Sequence, residues 1–144
     1  MMGLTLQHAS TIVDTALATA RRQDLHPLCV VVLDAGGHAI AMKREDGASI
    51  SRPEIATAKA AGCLGMGFGG REIAKRAQAA PAFFAALNGI FPQGILPVPG
   101  GVLIRDAQGA LLGAVGISGD TSDNDEICAV DGIVSSGLVP DTGA

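Results

Sequence analysis

The passage Ser118-Gly-Asp-Thr-Ser-Asp-Asn-Asp-Glu126 concentrates more chemistry than any other stretch of the chain. An apolar run ends in a turn at Gly119 and passes directly into a helix signal. The first-turn amides of such a helix lack intrahelical acceptors and attract any anion that reaches them. Carboxylates at 120, 123, 125 and 126 crowd the same place. Asp123 and Glu126 suit a helix N-terminus by charge and capping alone. Asp120 and Asp125 are not explained that way. With Glu126 beside them they are the candidates for ligand or proton chemistry, because a carboxyl group held among other negative charges keeps its proton to higher pH and can act as a general acid or base near neutrality.

The matching cations are Arg52 and Lys59, seven residues apart on one predicted helix and therefore on one face. Arg71 and Lys75 lie beyond them, and the face would present positive charge to a carboxylate; its ordinary alternative is a solvated charged surface. The planar fork of Arg52 suits bidentate binding of a carboxylate. Lys59 would polarise a carbonyl, or form a Schiff base if burial lowers its pKa. Asp34 stands at a strand end and is a candidate partner for one of these cations. It opens the turn Asp34-Ala-Gly-Gly37, from which His38 emerges at the strand end. Gly36, Gly37, Gly100, Gly101, Ser118 and Gly119 are candidate ligand-binding positions, since glycine lets a ligand approach the backbone.

Other signals are weaker. Gly65-Met-Gly-Phe-Gly-Gly70 spells GxGxxG, but a dinucleotide site needs a strand before it and a phosphate-binding helix after it. Here a helix precedes, so a helix-to-helix corner is expected. His8 and His26 have no metal-ligand spacing with each other or with His38, and both are read as solvated. No metal site is predicted. Cys29, Cys63 and Cys128 form neither CxxC nor CxxCH, which excludes covalent c-type haem; buried free thiols are expected, in keeping with a reducing cytoplasm.

The elements that must hold these residues are legible. A helix from about Leu6 to Gln23, capped by Thr5, leads to a strand at Leu28–Leu33, the Asp34–Gly37 hairpin turn and a return strand at His38–Lys43. Ser51-Arg-Pro-Glu54 starts a second helix with a capping box and an early proline. Shorter helices from Arg71 and over Pro81–Leu87 precede a proline- and glycine-rich loop, Phe91 to Gly101, followed by strands at Val102–Arg105 and Ala110–Ser118 joined by Asp106-Ala-Gln-Gly109. A last helix begins near Asp123 and is closed by Gly137. Sequential hairpins flanked by helices give an antiparallel sheet and an α+β class.

At 144 residues the chain has the length of a single domain, residues 1–144, with a sizeable core. Trp and Tyr are absent and only four Phe are present, so that core is aliphatic. A net charge of −4 without any Lys/Arg cluster excludes a nucleic-acid partner. No signal peptide or membrane-spanning segment is read, so a cytoplasmic protein without membrane association is expected.

Four passages in order, VVVLDAGGHAIAMKREDGA (Val30–Ala48), IATAKAA (Ile55–Ala61), PGGVLI (Pro99–Ile104) and VGISGDTSDNDE (Val115–Glu126), resemble the GlcG/HbpS family, related to the C-terminal domain of PduO-type proteins. The resemblance implies a profilin-like α/β sandwich with a roughly five-stranded antiparallel sheet. It also implies a small-molecule-binding protein, with haem as a possible ligand, and assembly as a homo-oligomer built from dimers; exposed aliphatic surface would serve such contacts. Within the DAGGH passage that carries the resemblance, His38 is a candidate haem or metal ligand, its alternative being a plain strand-end histidine. The chain departs from the family pattern at Leu103, where proline is common, at Asp120 and Asn124, where glycine and glutamine are common, and at Asp131-Gly132. Beside a purely structural or assembly role, two functions remain open. One is tetrapyrrole binding or degradation in a pocket formed by Asp34–His38, Arg52, Lys59 and Gly119–Glu126. The other is cofactor-independent isomerase, hydratase or lyase chemistry on a small oxo- or hydroxy-carboxylate of organic-acid or aromatic catabolism. The added acid at Asp120 fits a small polar substrate at least as well as a porphyrin carrying propionates. In either case the ligand is expected to be anionic.

Overall fold

The computed structural model of the chain describes residues 3–144. Its elements run α1 (Leu6–Arg22), β1 (Cys29–Asp34), β2 (Ala39–Arg44), α2 (Arg52–Met66), α3 (Gly70–Ala79), α4 (Pro81–Leu87), β3 (Gly101–Arg105), β4 (Leu111–Ser118), α5 (Ser122–Ser135) and β5 (Val139–Asp141). All strand pairs are antiparallel, in the order β2-β1-β4-β3-β5. The class is α+β, as expected. The five strands agree with the roughly five-stranded sheet that the resemblance implies; the place of the fifth was not read from the sequence, because it is three residues long, contains Pro140 and pairs with β3 at the sheet edge, where a proline is tolerated.

Period-two alternation divides the core between the two faces of the sheet. Val30, Val32, Val102, Ile104, Val115 and Ile117 pack beneath α1 and α5. Val31, Leu33, Leu103 and Ala114 pack beneath α2, α3 and α4. Because β1, β3 and β4 are covered on both sides, they are apolar up to their last residues, Asp34, Arg105 and Ser118, whereas the edge strand β2 is largely exposed.

The two hairpin turns are built alike. In each, an aspartate carboxylate accepts from the amides two and four residues on: Asp34 from Gly36 and His38, and Asp106 from Gln108 and Ala110. In each, the glycine that closes the turn has a left-handed backbone, φ 86° at both Gly37 and Gly109. The shared Asp-Ala-x-Gly therefore encodes one turn twice.

Helix starts differ from the sequence reading in their caps. Thr5 caps α1 as expected, but its capping box is completed by His8, whose Nδ1 accepts from the Thr5 amide, so His8 is not merely a solvated residue. Ser51 makes no side-chain cap bond to α2. Helix α5 starts earlier than expected: Thr121 is its N-cap, accepting from the Asn124 amide. The GxGxxG segment is the α2–α3 corner. Gly67 ends α2 with φ 78°, and a Cβ on Gly70 would come within 2.6 Å of the Val98 carbonyl.

Candidate functional site

Glycines decide how the cationic helix sits on the sheet. Gly101 and Gly116 are cross-strand partners facing α2. A Cβ on Gly116 would strike the Ala56 carbonyl, and one on Gly101 would strike the Lys59 backbone and the Cys63 side chain, so α2 rests with its own backbone against β3 and β4. That depth lets Lys59 run between the strands. Its Nζ donates to the Ile117 carbonyl at 2.9 Å and to Asp125 Oδ2 at 3.1 Å. The Lys59 and Asp125 side chains are 5% and 1% exposed. Gly100, with φ 110°, leaves room for the amine: a Cβ there would lie 2.9 Å from Nζ.

Asp125 Oδ1 meanwhile accepts from the Asp120 amide, fixing the β4–α5 turn. Burial pushes the Asp125 carboxyl above the ordinary carboxylate range, while Lys59 and the Asp120 amide pull it back. Neither Lys59 nor Asp125 lines any of the cavities described below.

The crowded acids divide by what each touches, rather than rising together as the sequence predicted. Asp120 accepts from the Asn124 side-chain amide at 2.8 Å, from the His26 amide at 2.9 Å and from the Thr121 amide at 2.9 Å. Those bonds hold its carboxyl down at about 2, so it is no general acid near neutrality. The two departures from the family pattern, Asp120 and Asn124, are thus bonded to one another, and together they tie the lead into β1 to the turn after β4. His26, read as solvated, is held there through its backbone. Glu126 and Asp123 share Arg71, which donates to Glu126 at 2.8 and 3.1 Å and to Asp123 at 2.8 Å. Arg71 therefore joins α3 to α5 and does not extend a cationic face from Arg52 and Lys59.

A depressed carboxyl contributes stability that is complete above its unfolded pKa and is lost as pH falls through its folded one. For Asp120 that window runs from 3.8 down to about 2. The native chain is therefore expected to lose more of its urea midpoint across that window than Asp120→Asn does. Parallel losses in the two proteins would mean that Asp120 is not held in this way.

Arg52 and Ser118 do meet: the guanidinium Nη1 donates to Ser118 Oγ at 3.0 Å. Ser118 is buried, while Arg52 borders a cleft of about 290 Å³ lined also by His26, Pro27, Gly47, Ser49 and Gly119. The Asp34–His38 turn is elsewhere. Cys29 pairs with Ser118 and Asp34 with Gly113, so the turn lies at the opposite end of β1, about 17 Å away by strand length. No single pocket joins Asp34–His38 to Arg52 and Gly119, and Asp34 pairs with neither Arg52 nor Lys59. Its carboxyl is drawn down chiefly by the His38 amide, with the Gly36 amide and the His38 ring adding to it.

The His38 side chain is 84% exposed, and its Nδ1 lies 3.6 Å from Asp34 Oδ1. Beside the turn is an open groove of about 260 Å³ lined by Gly36, Gly37, Leu64, Phe91, Pro92 and Gln93. Its far wall is the start of the proline- and glycine-rich loop Phe91 to Gly101, a stretch whose composition suits crossing the surface or lining a cleft; what the composition does not give is the seat of the Phe91 ring. The signal was Gly65, where any side chain would strike the Phe91 ring at 2.9 Å, so that this glycine seats the ring.

The cysteines are buried, and desolvation raises Cys29 to about 11, Cys63 to about 12 and Cys128 to about 11, so none is a thiolate nucleophile near neutrality. Among the described residues no group of three or more His, Cys, Asp or Glu is placed to hold a metal ion, and no helix is long and apolar enough to cross a membrane.

Residues 4–134 match the family model described as haem degrading protein HbpS-like. The chain belongs to the HbpS-like family. Solved structures agree. A double mutant of Streptomyces reticuli HbpS is 30% identical, with a TM-score of 0.80 over 93% of this chain and 87% of that one. The ORFY protein of Klebsiella pneumoniae is 25% identical, with a TM-score of 0.83 over 95% and 92% of the two chains. PduOC, solved as a haem complex, is 22% identical with a TM-score of 0.84 over 95% and 97%, a likeness of fold. No curated protein matches the chain.

Proposed function

We propose that this HbpS-like protein binds a haem-type tetrapyrrole at the β1–β2 turn, with His38 as the iron ligand. The family description brings haem into consideration; the arrangement of His38 carries the reading. Its Nδ1 faces the Asp34 carboxylate and the ring is otherwise in solvent. A carboxylate beside one ring nitrogen orients an imidazole and leaves Nε2 free to ligate. The adjoining groove supplies an apolar seat in Leu64, Phe91 and Pro92, and Gly36 and Gly37 let a flat ligand approach the backbone. At about 260 Å³ and open to solvent, the groove would grip one edge of a porphyrin rather than enclose it. A second copy of the chain would then cover the other face. That fits a homo-oligomer built from dimers, for which Phe83 and Ile90 offer exposed apolar surface; a monomer mass by sedimentation equilibrium would remove this part of the reading.

The geometry favours binding over carbonyl chemistry at Lys59, whose amine is buried and committed to Asp125 and Ile117. Titration of the purified protein with hemin is expected to give a saturating shift of the Soret band. His38→Ala should weaken binding about tenfold or more, the scale of one lost first-shell or orienting interaction, while leaving the thermal midpoint unchanged because the side chain is exposed. An unaltered titration in His38→Ala contradicts the assignment.

A further inference from the structure

We infer that the cleft at the other end of β1 is a second ligand site, which binds a small carboxylate on Arg52. The inference stands apart from the haem reading, because the two places are separated by the length of β1 and share no lining residue.

Arg52 carries the argument. It is half-buried at the start of α2, and among the described residues it forms no salt bridge. Of its five N–H groups, the one on Nη1 that bonds Ser118 fixes the plane of the fork. The rest of the guanidinium borders the 290 Å³ cleft. A cation without a counter-ion, held in a fixed plane at the wall of a cleft, is arranged for a planar carboxylate.

The acids near the cleft do not line it: Asp46 and Glu54 line neighbouring cavities. Asp120, the nearest acid along the chain to Gly119, is turned to His26, Thr121 and Asn124. Glu45 is taken by Arg21 and the Leu28 amide. Arg44 reaches the Ala48 carbonyl at 3.5 Å, which brings a second cation without a salt bridge to the loop that walls the cleft. At the start of α2 the Arg52 amide donates to the Ser49 carbonyl and Pro53 has no N–H, so the Arg52 side chain rather than the helix end supplies the positive charge. His26 and Ser49 supply polar groups for a hydroxyl or oxo substituent.

Asp120 positions the site without touching the ligand. By accepting from the His26 amide it holds His26 and Pro27 as the rim opposite Arg52. The departure from the family pattern at this turn thus shapes the cleft.

The test is an amide NMR titration of the whole chain with pyruvate and, separately, with inorganic phosphate. Pyruvate is expected to shift the Gly47, Ser49 and Gly119 amides and to saturate below about 10 mM, an affinity that one charge-assisted pair with a few hydrogen bonds supplies. Arg52→Gln should weaken it about tenfold or more, and Arg52→Lys by less. Lys75→Gln, which removes the same charge from α3, should leave it unchanged. No saturation, an equal response in Arg52→Gln, or a stronger response to phosphate than to pyruvate overturns the inference. Should Arg52→Gln fail to fold, the Arg52→Lys titration decides in the same way, since an unweakened response there contradicts a bidentate fork.

Discussion

Lys59→Met is expected to lower stability by about 3–5 kcal/mol, because it leaves the Asp125 carboxylate buried with no counter-charge. For a domain whose whole stability is about 5–15 kcal/mol, that loss should bring the thermal midpoint down by about 10 °C or more. The effect has a pH signature. Burial already raises the Asp125 carboxyl above its ordinary range, and Lys59 opposes that rise. Without Lys59 the folded pKa climbs further. A carboxyl raised on folding carries no penalty below its unfolded pKa, and the penalty grows as pH rises towards the folded value. Relative to the native chain, Lys59→Met should therefore recover as pH falls towards about 4. The double variant Lys59→Met, Asp125→Leu should regain most of the loss at neutral pH, since a hydrophobic pair of similar volume replaces a buried ion pair at little net cost. Urea midpoints of the four proteins at two pH values form the check. Additive losses in the double variant, or a deficit independent of pH, would mean that the pair does not bear on the fold.

Gly116→Ala is the second large effect. The new Cβ meets the Ala56 carbonyl, which is backbone and cannot rotate aside. Helix α2 must lift off β4, at a cost of about 1–3 kcal/mol for over-packing alone, and Lys59 would be drawn away from Asp125 as the helix lifts. Gly116→Ala combined with Lys59→Met should consequently lose less than the sum of the two, with a coupling of about 0.5–3 kcal/mol. Strict additivity in that cycle would show that helix height and the ion pair are independent.

These two variants also mark where sequence reasoning stopped. Lys59 was legible as a candidate from its place in IATAKAA, and Asp125 from the acidic turn. Their pairing was not. It depends on Gly100, Gly101 and Gly116, which lie far from Lys59 along the chain and act through what they lack. The hairpin turns were legible because Asp-Ala-x-Gly solves a local problem with local bonds. The caps of α2 and α5 were misjudged because several Ser, Thr and Asp residues stand at each helix start and only the fold selects among them. Counting charges put Asp120 and Asp125 together as raised acids. In the structure three donors meet one and burial meets the other, which drives the two carboxyls in opposite directions. The length of β1 divided the expected single pocket into a histidine groove and an arginine cleft.

The placement of haem is tested most directly by crystals of the hemin-loaded protein measured at the iron absorption edge, where the anomalous signal locates the metal without reference to the porphyrin density. Iron bonded to His38 Nε2 beside Leu64, Phe91 and Pro92 is the predicted result. Iron at the Arg52–Gly119 end of β1, or anywhere away from His38, contradicts it.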